Sequence, residues 1–93
     1  MEITFSPDIQ KKLLAKHKVL REEVEQCFYN RRGKLLEDSR EEHKTTPPTQ
    51  WFIAETDKRR KLKVIFVLDG DVRVKSAYDA DEESIRIYKK HAF

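Results

Sequence analysis

Two alternating strands joined by Asp69-Gly70-Asp71 constrain this chain more than any other segment. Leu62, Val64, Phe66 and Leu68 recur at every second position, and so do Val72 and Val74. Side chains alternate along a strand, so both sets turn to one face of a hairpin while Lys61, Lys63, Arg73 and Lys75 turn to the other. A two-residue Asp-Gly turn is the commoner hairpin signal, but here it would set Phe66 opposite Arg73 on one face. Pairing Leu68 with Val72 keeps the apolar sets together and predicts a loop running from Asp69 to Asp71. The expected product is a small sheet with one apolar side and one cationic side.

The 93 residues suffice for one domain with a modest core, spanning 1–93. Charged residues make up 40% of the chain and the net charge is only +3, so charge is distributed in patches. Acids cluster at Glu22, Glu23 and Glu25, at Glu37, Asp38, Glu41 and Glu42, and from Asp79 to Glu83. A single cysteine, Cys27, excludes an intrachain disulfide and suits a reducing compartment. No apolar run reaches membrane length and no signal-peptide pattern opens the chain, which predicts a cytoplasmic protein without a membrane partner.

Ahead of the hairpin, Ile3-Thr4-Phe5 predicts a short strand. Ser6 then supplies an N-cap, Pro7 suits the first helical position and Asp8 complements the helix dipole. Ile9 and Leu13, extended by Lys16 or His17, form the inner stripe of that helix. A second helix is predicted over Arg21 to Tyr29, with Leu20, Val24, Cys27 and Phe28 inward, and Gly33 as a left-handed cap. Leu35-Leu36 offers an extra strand. Thr45 to Gln50 carries paired prolines that disfavour helix and central strand alike. Trp51 to Thr56 reads as a strand and Asp57 to Arg60 as a turn. Asp79 or Asp81 caps a last helix in which Ile85 and Tyr88 face the sheet. The fold class is α+β, in the order β-α-α-β-β-β-α.

With this order in hand, the chain resembles the BrnT-like toxins of bacterial type II toxin–antitoxin pairs, within the wider RelE/ParE-like superfamily. Lys16-His17-Lys18-Val19, then Glu22-Glu23-Val24 and Phe28, resemble the family's Lys-His-Gly-Val, Glu-Glu-Ala and Phe pattern. Glu37-Asp38-Ser39-Arg40 resembles its acidic-x-Arg element, Arg73 to Ala77 its Arg-x-x-Ser-Ala strand, and Glu83 with Tyr88 its final helix. The chain departs from the pattern at Lys18, where the family has Gly, at Tyr78, where Arg is common, and from Thr45 to Gln50. The resemblance implies a RelE-like fold, with two N-terminal helices on a mostly antiparallel sheet and a C-terminal helix. It also implies a metal-independent endoribonuclease that acts on RNA and forms a hetero-oligomer with a cognate antitoxin.

Such cleavage needs a 2′-hydroxyl deprotonated, a crowded phosphorane stabilised and a departing 5′-oxygen protonated. Arg73 is the expected stabiliser, because a guanidinium matches two phosphate oxygens at once. Arg40 would assist from the preceding loop, and Lys61, Lys63 and Lys75 would track the RNA backbone. The same cations also fit an ordinary solvated outer face that deters edge pairing. Tyr78, Glu55, His43 and Tyr88 are the candidates for proton transfer. Tyr78 shares the parity of Val72 and Val74, which alternatively makes it a structural ring against the last helix. His17 is expected to meet the carbonyls ending its own helix. Ile65 and Val67 interrupt the cationic face and would suit a masking antitoxin. His17, His43 and His91 lack metal-ligand spacing, and with glycine only at 33 and 70 no phosphate-cradling loop is legible, so no cofactor is expected. A non-catalytic nucleic-acid- or protein-binding module on the same fold is the alternative.

Overall fold

The structure is a computed structural model describing residues 2–38 and 47–93. Its elements are β1 (Ile3–Thr4), α1 (Pro7–His17), α2 (Arg21–Asn30), β2 (Leu36–Glu37), β3 (Thr49–Glu55), β4 (Lys61–Asp69), β5 (Asp71–Asp79) and α3 (Glu82–His91). The strands form one sheet in the order β1-β5-β4-β3-β2, antiparallel except for β1 beside β5. The protein is therefore α+β, and the extra strand at Leu35-Leu36 is present one residue later, as β2.

Local chemistry accounts for the helix ends. Ser6 accepts the Ile9 N–H, with Pro7 at the first helical position. At the other end of α1, Lys18 adopts the left-handed conformation, with φ 56° and ψ 39°. That conformation is the reason a glycine would be at home here. Glu23 accepts the Leu20 N–H and so makes half of a capping box, since Leu20 has no side-chain acceptor for the other half. Asp81 caps α3 through the Ser84 N–H; hydrogen bonds from Ser84 hold its carboxyl below the usual carboxylate range.

The expected hairpin register is observed. Leu68 faces Val72 and Asp69 faces Asp71, with Gly70 at φ +76° between them. Apolar side chains of Leu62, Val64, Phe66, Val72 and Val74 are buried on one face, where Phe28 of α2 packs edge-on against Phe52 and Phe66. Cys27 lies in the same core, donating weakly to the Ala54 carbonyl, and burial pushes its thiol pKa up to about 12.

Three expectations are corrected. A β-bulge leaves Lys75 without a partner: Ile65 faces Ser76 while Phe66 faces Val74. The bulge reverses parity, so Ala77 enters the core and Tyr78, opposite Lys63, moves to the outer face. Secondly, α3 covers that outer face rather than the apolar one. Tyr88 meets Trp51 at 5.7 Å between ring centroids, and Trp51 alternates with the core residue Phe52. Thirdly, Gly33 is not a left-handed cap, because α2 ends at Asn30 and the only glycine with positive φ is Gly70. Gly33 instead leaves room for the Tyr88 ring, whose hydroxyl donates to the Lys34 carbonyl at 2.8 Å.

Candidate nucleic-acid interface

Successive rows of cross-strand neighbours organise the outer face. Arg73 lies opposite Val67, Ser76 opposite Ile65, and Tyr78 opposite Lys63; Glu55 lies opposite Lys61 at the far end. Val67 and Lys63 are four residues apart on β4, which puts Arg73 about 13 Å from Tyr78 along the sheet. Val67 and Lys61 are six apart, so Glu55 lies about 20 Å from Arg73 by the same measure. Arg73, Tyr78 and Glu55, three of the predicted acid–base or charge-stabilising residues, are thus spread along the sheet. They do not converge on one phosphate. Tyr88 of α3 is buried, with its hydroxyl on the Lys34 carbonyl. Arg40 and His43 lie outside the described residues.

Arg73 and Lys75 occupy the hairpin end of this face. The Arg73 side chain is 60% exposed, and its guanidinium stands 3.9 Å from Asp69, a loose pair in open solvent. Lys75 is exposed as the unpaired residue of the bulge. Val67 is already buried, which leaves Ile65 as the half-exposed apolar residue of the two expected to await a partner.

Lys63 departs from the expected exposed cation. Its ammonium donates to Ser84 Oγ at 3.1 Å and stands 4.5 Å from the Trp51 ring centroid, so α3 shelters it. The surrounding cleft, about 720 Å³, has Trp51, Ile65 and Tyr78 on its sheet side and Ile87 and His91 on its helix side. Glu37, Asp38, Asp81 and Glu83 also border it, so among the described residues its rim is acidic around a single lysine. A polyanion gains little there.

His17 was expected to serve its own helix end, yet its ring lies 5.4 Å from that of Tyr78. The helix end is served by Arg60, which the sequence placed only in a turn. Its guanidinium donates to the carbonyls of His17 and Lys18 at 3.0 and 2.7 Å, to both Asp79 oxygens, and to Glu23. These hydrogen bonds hold the Asp79 carboxyl below the usual carboxylate range. Arg60 thereby ties α1, α2 and the end of β5 together. Nothing in the local sequence distinguishes it from Lys58 or Arg59, because its partners are distant in the chain.

A second cleft, about 970 Å³, lies at the end of the sheet remote from Arg73. The loop after α2, the β3–β4 turn and the last turn of α3 form its walls, and Glu55 and Lys61 both border it. Tyr88 closes its inner side, with its hydroxyl pKa raised by burial. No family model and no curated protein matches the chain. Among the described residues, no helix is long and apolar enough to cross a membrane.

Proposed function

We propose that this protein is the toxin half of a type II toxin–antitoxin pair, built on a BrnT/RelE-like fold and acting on RNA as a metal-independent endoribonuclease. The motif resemblance brings the activity. The observation that supports it is the open hairpin end of the outer face, where Arg73 is exposed and held only loosely by Asp69. A guanidinium so presented meets charge as it develops on a phosphorane. The element order, with two helices after an edge strand and a C-terminal helix closing the chain, supports the RelE-like assignment. A cognate antitoxin would cover Ile65 and the neighbouring face of α3.

One observation favours a second reading, a non-catalytic binding module. Tyr78 and Glu55 stand too far from Arg73 to share a scissile phosphate with it. Induced expression separates the two readings. A toxin arrests growth and its purified form cleaves RNA, whereas folded protein that does neither is a binding module. In the toxin, Arg73→Ala should lower cleavage by roughly 10²–10³-fold. Because the side chain is exposed, the same change should leave the unfolding free energy within about 0.5 kcal/mol of the parent's.

A further inference from the structure

We propose that the cleft between the loop after α2, the β3–β4 turn and the end of α3 binds single-stranded nucleic acid. It lies at the opposite end of the sheet from Arg73 and extends beyond any cleavage site there. Two independent features meet in it.

Charge is the first. Arg31 and Arg32 enter from the α2 loop, Arg59 from the turn, Lys61 from the first residue of β4, and Lys89 from α3. Among the described residues, the only carboxylate side chains on its lining are Glu55 and Asp57. Asp57 is partly occupied, because its Oδ1 accepts from Asn30 Nδ2 at 3.0 Å. No ion pair engages Arg32, Arg59 or Lys89 with an acid among the described residues. Among the described residues the cleft beside Lys63 has the opposite balance, so a polyanion entering from solvent is drawn to this one.

Exposed rings are the second. Tyr29 is 91% exposed and Phe93 72%, and they are the aromatic members of the large exposed apolar set. Both line this cleft. A ring left in solvent beside a row of cations offers a base a stacking surface, the combination that single strands use and that a stacked duplex does not present. An acidic protein partner would need the cations but not the rings.

The cleft is also held in shape before any ligand arrives. Asn30 Nδ2 donates to the Glu55 carbonyl as well as to Asp57, and the Asp57 N–H donates to Gln26 Oε1 at 3.0 Å, which locks the turn to α2. Within the turn, Arg59 sits in the left-handed region at φ 67°, fixed by its N–H to the Thr56 carbonyl at 2.8 Å. Arg31 donates to the Gly33 carbonyl. Little ordering remains to oppose binding.

The test is fluorescence anisotropy with a short labelled oligouridylate, its oligodeoxythymidylate counterpart and a duplex of equal length, on the full chain. Tyr29→Ala should weaken oligouridylate binding roughly tenfold, one lost base stack, while Tyr29→Phe restores it. Arg32→Ala and Lys89→Ala should each reduce the salt dependence by about 0.7 in log–log slope. Unchanged melting of each variant ensures that binding is what is read. The proposal is overturned if Tyr29→Ala binds as the parent does, if the duplex binds as well as the single strand, or if oligoglutamate competes as effectively as oligouridylate. It is also overturned if Arg73→Ala removes binding while Tyr29→Ala does not, because the strand would then lie on the outer face. Absence of growth arrest refutes the toxin and leaves the cleft standing.

Discussion

Replacing Gly33 by alanine tests whether the loop after α2 is fitted around the Tyr88 ring. An added Cβ would lie 2.7 Å from Tyr88 Oη and 2.9 Å from Cε2 and Cζ, against the 3.4 Å at which ordinary contact begins. The hydroxyl would therefore have to retreat by roughly 0.7 Å, the difference of those two distances. Tyr88 is 4% exposed, and Trp51 and Phe93 flank its ring at centroid distances of 5.7 and 5.9 Å. Forcing such a ring aside costs about 1–3 kcal/mol. Losing its hydrogen bond to the Lys34 carbonyl adds about 1 kcal/mol. Alanine gives back about 0.4–1 kcal/mol by restricting the unfolded chain, since Gly33 does not need positive φ. The net expectation is a loss of about 2 kcal/mol, or about 10 °C in thermal midpoint by circular dichroism for a domain of this size. In a Tyr88→Leu background the obstructing ring is absent, so Gly33→Ala should cost less than about 0.5 kcal/mol. Equal costs in both backgrounds, or a midpoint within about 2 °C of the parent for Gly33→Ala alone, would refute the reasoning.

Lys18→Gly removes a side chain from a left-handed residue and should raise stability by about 0.5–1 kcal/mol, measured by urea denaturation; a lower midpoint would contradict the cap geometry. Arg60→Met should lower stability at neutral pH by about 2 kcal/mol, through the lost helix-end and carboxylate hydrogen bonds. Arg60 depresses the Asp79 pKa, so that part of the stability is present above the unfolded carboxylate value of about 4 and fades as pH falls below it. The gap between parent and Arg60→Met unfolding free energies should therefore narrow in acid to the share contributed by the helix-end carbonyls, and a gap constant to low pH would exclude the linkage. Cys27, buried and with its pKa pushed up to about 12, should resist thiol-reactive dyes at pH 8 until denaturant is added; rapid labelling of folded protein would place it elsewhere.

Local chemistry was enough to read the hairpin register, the Ser6-Pro7 start of α1, the exposure of Arg73 and the inward Val24, Cys27 and Phe28 of α2, but not Leu20, which was expected inward and is 50% exposed at the N-cap. Each depends on neighbours within a few positions, through alternation, capping or helical spacing. Face matching rejected the commoner turn correctly, because a one-residue slip would have carried every apolar side chain into water. Tertiary structure decided the rest. The bulge at Lys75 exchanges the faces of Ala77 and Tyr78, and its sequence carries no glycine or proline to announce it. The periodicity of α3 identifies which side of the helix is apolar but not which side of the sheet receives it, so Trp51 and Lys63 became its floor unforeseen. Arg60 gained its role from partners at Lys18, Glu23 and Asp79, brought together only by packing. The candidate sites divided for the same reason. Alternation sorts cations by face, whereas the distances between rows, the helix laid over one of them and the acids beside Lys63 are set by how distant segments meet.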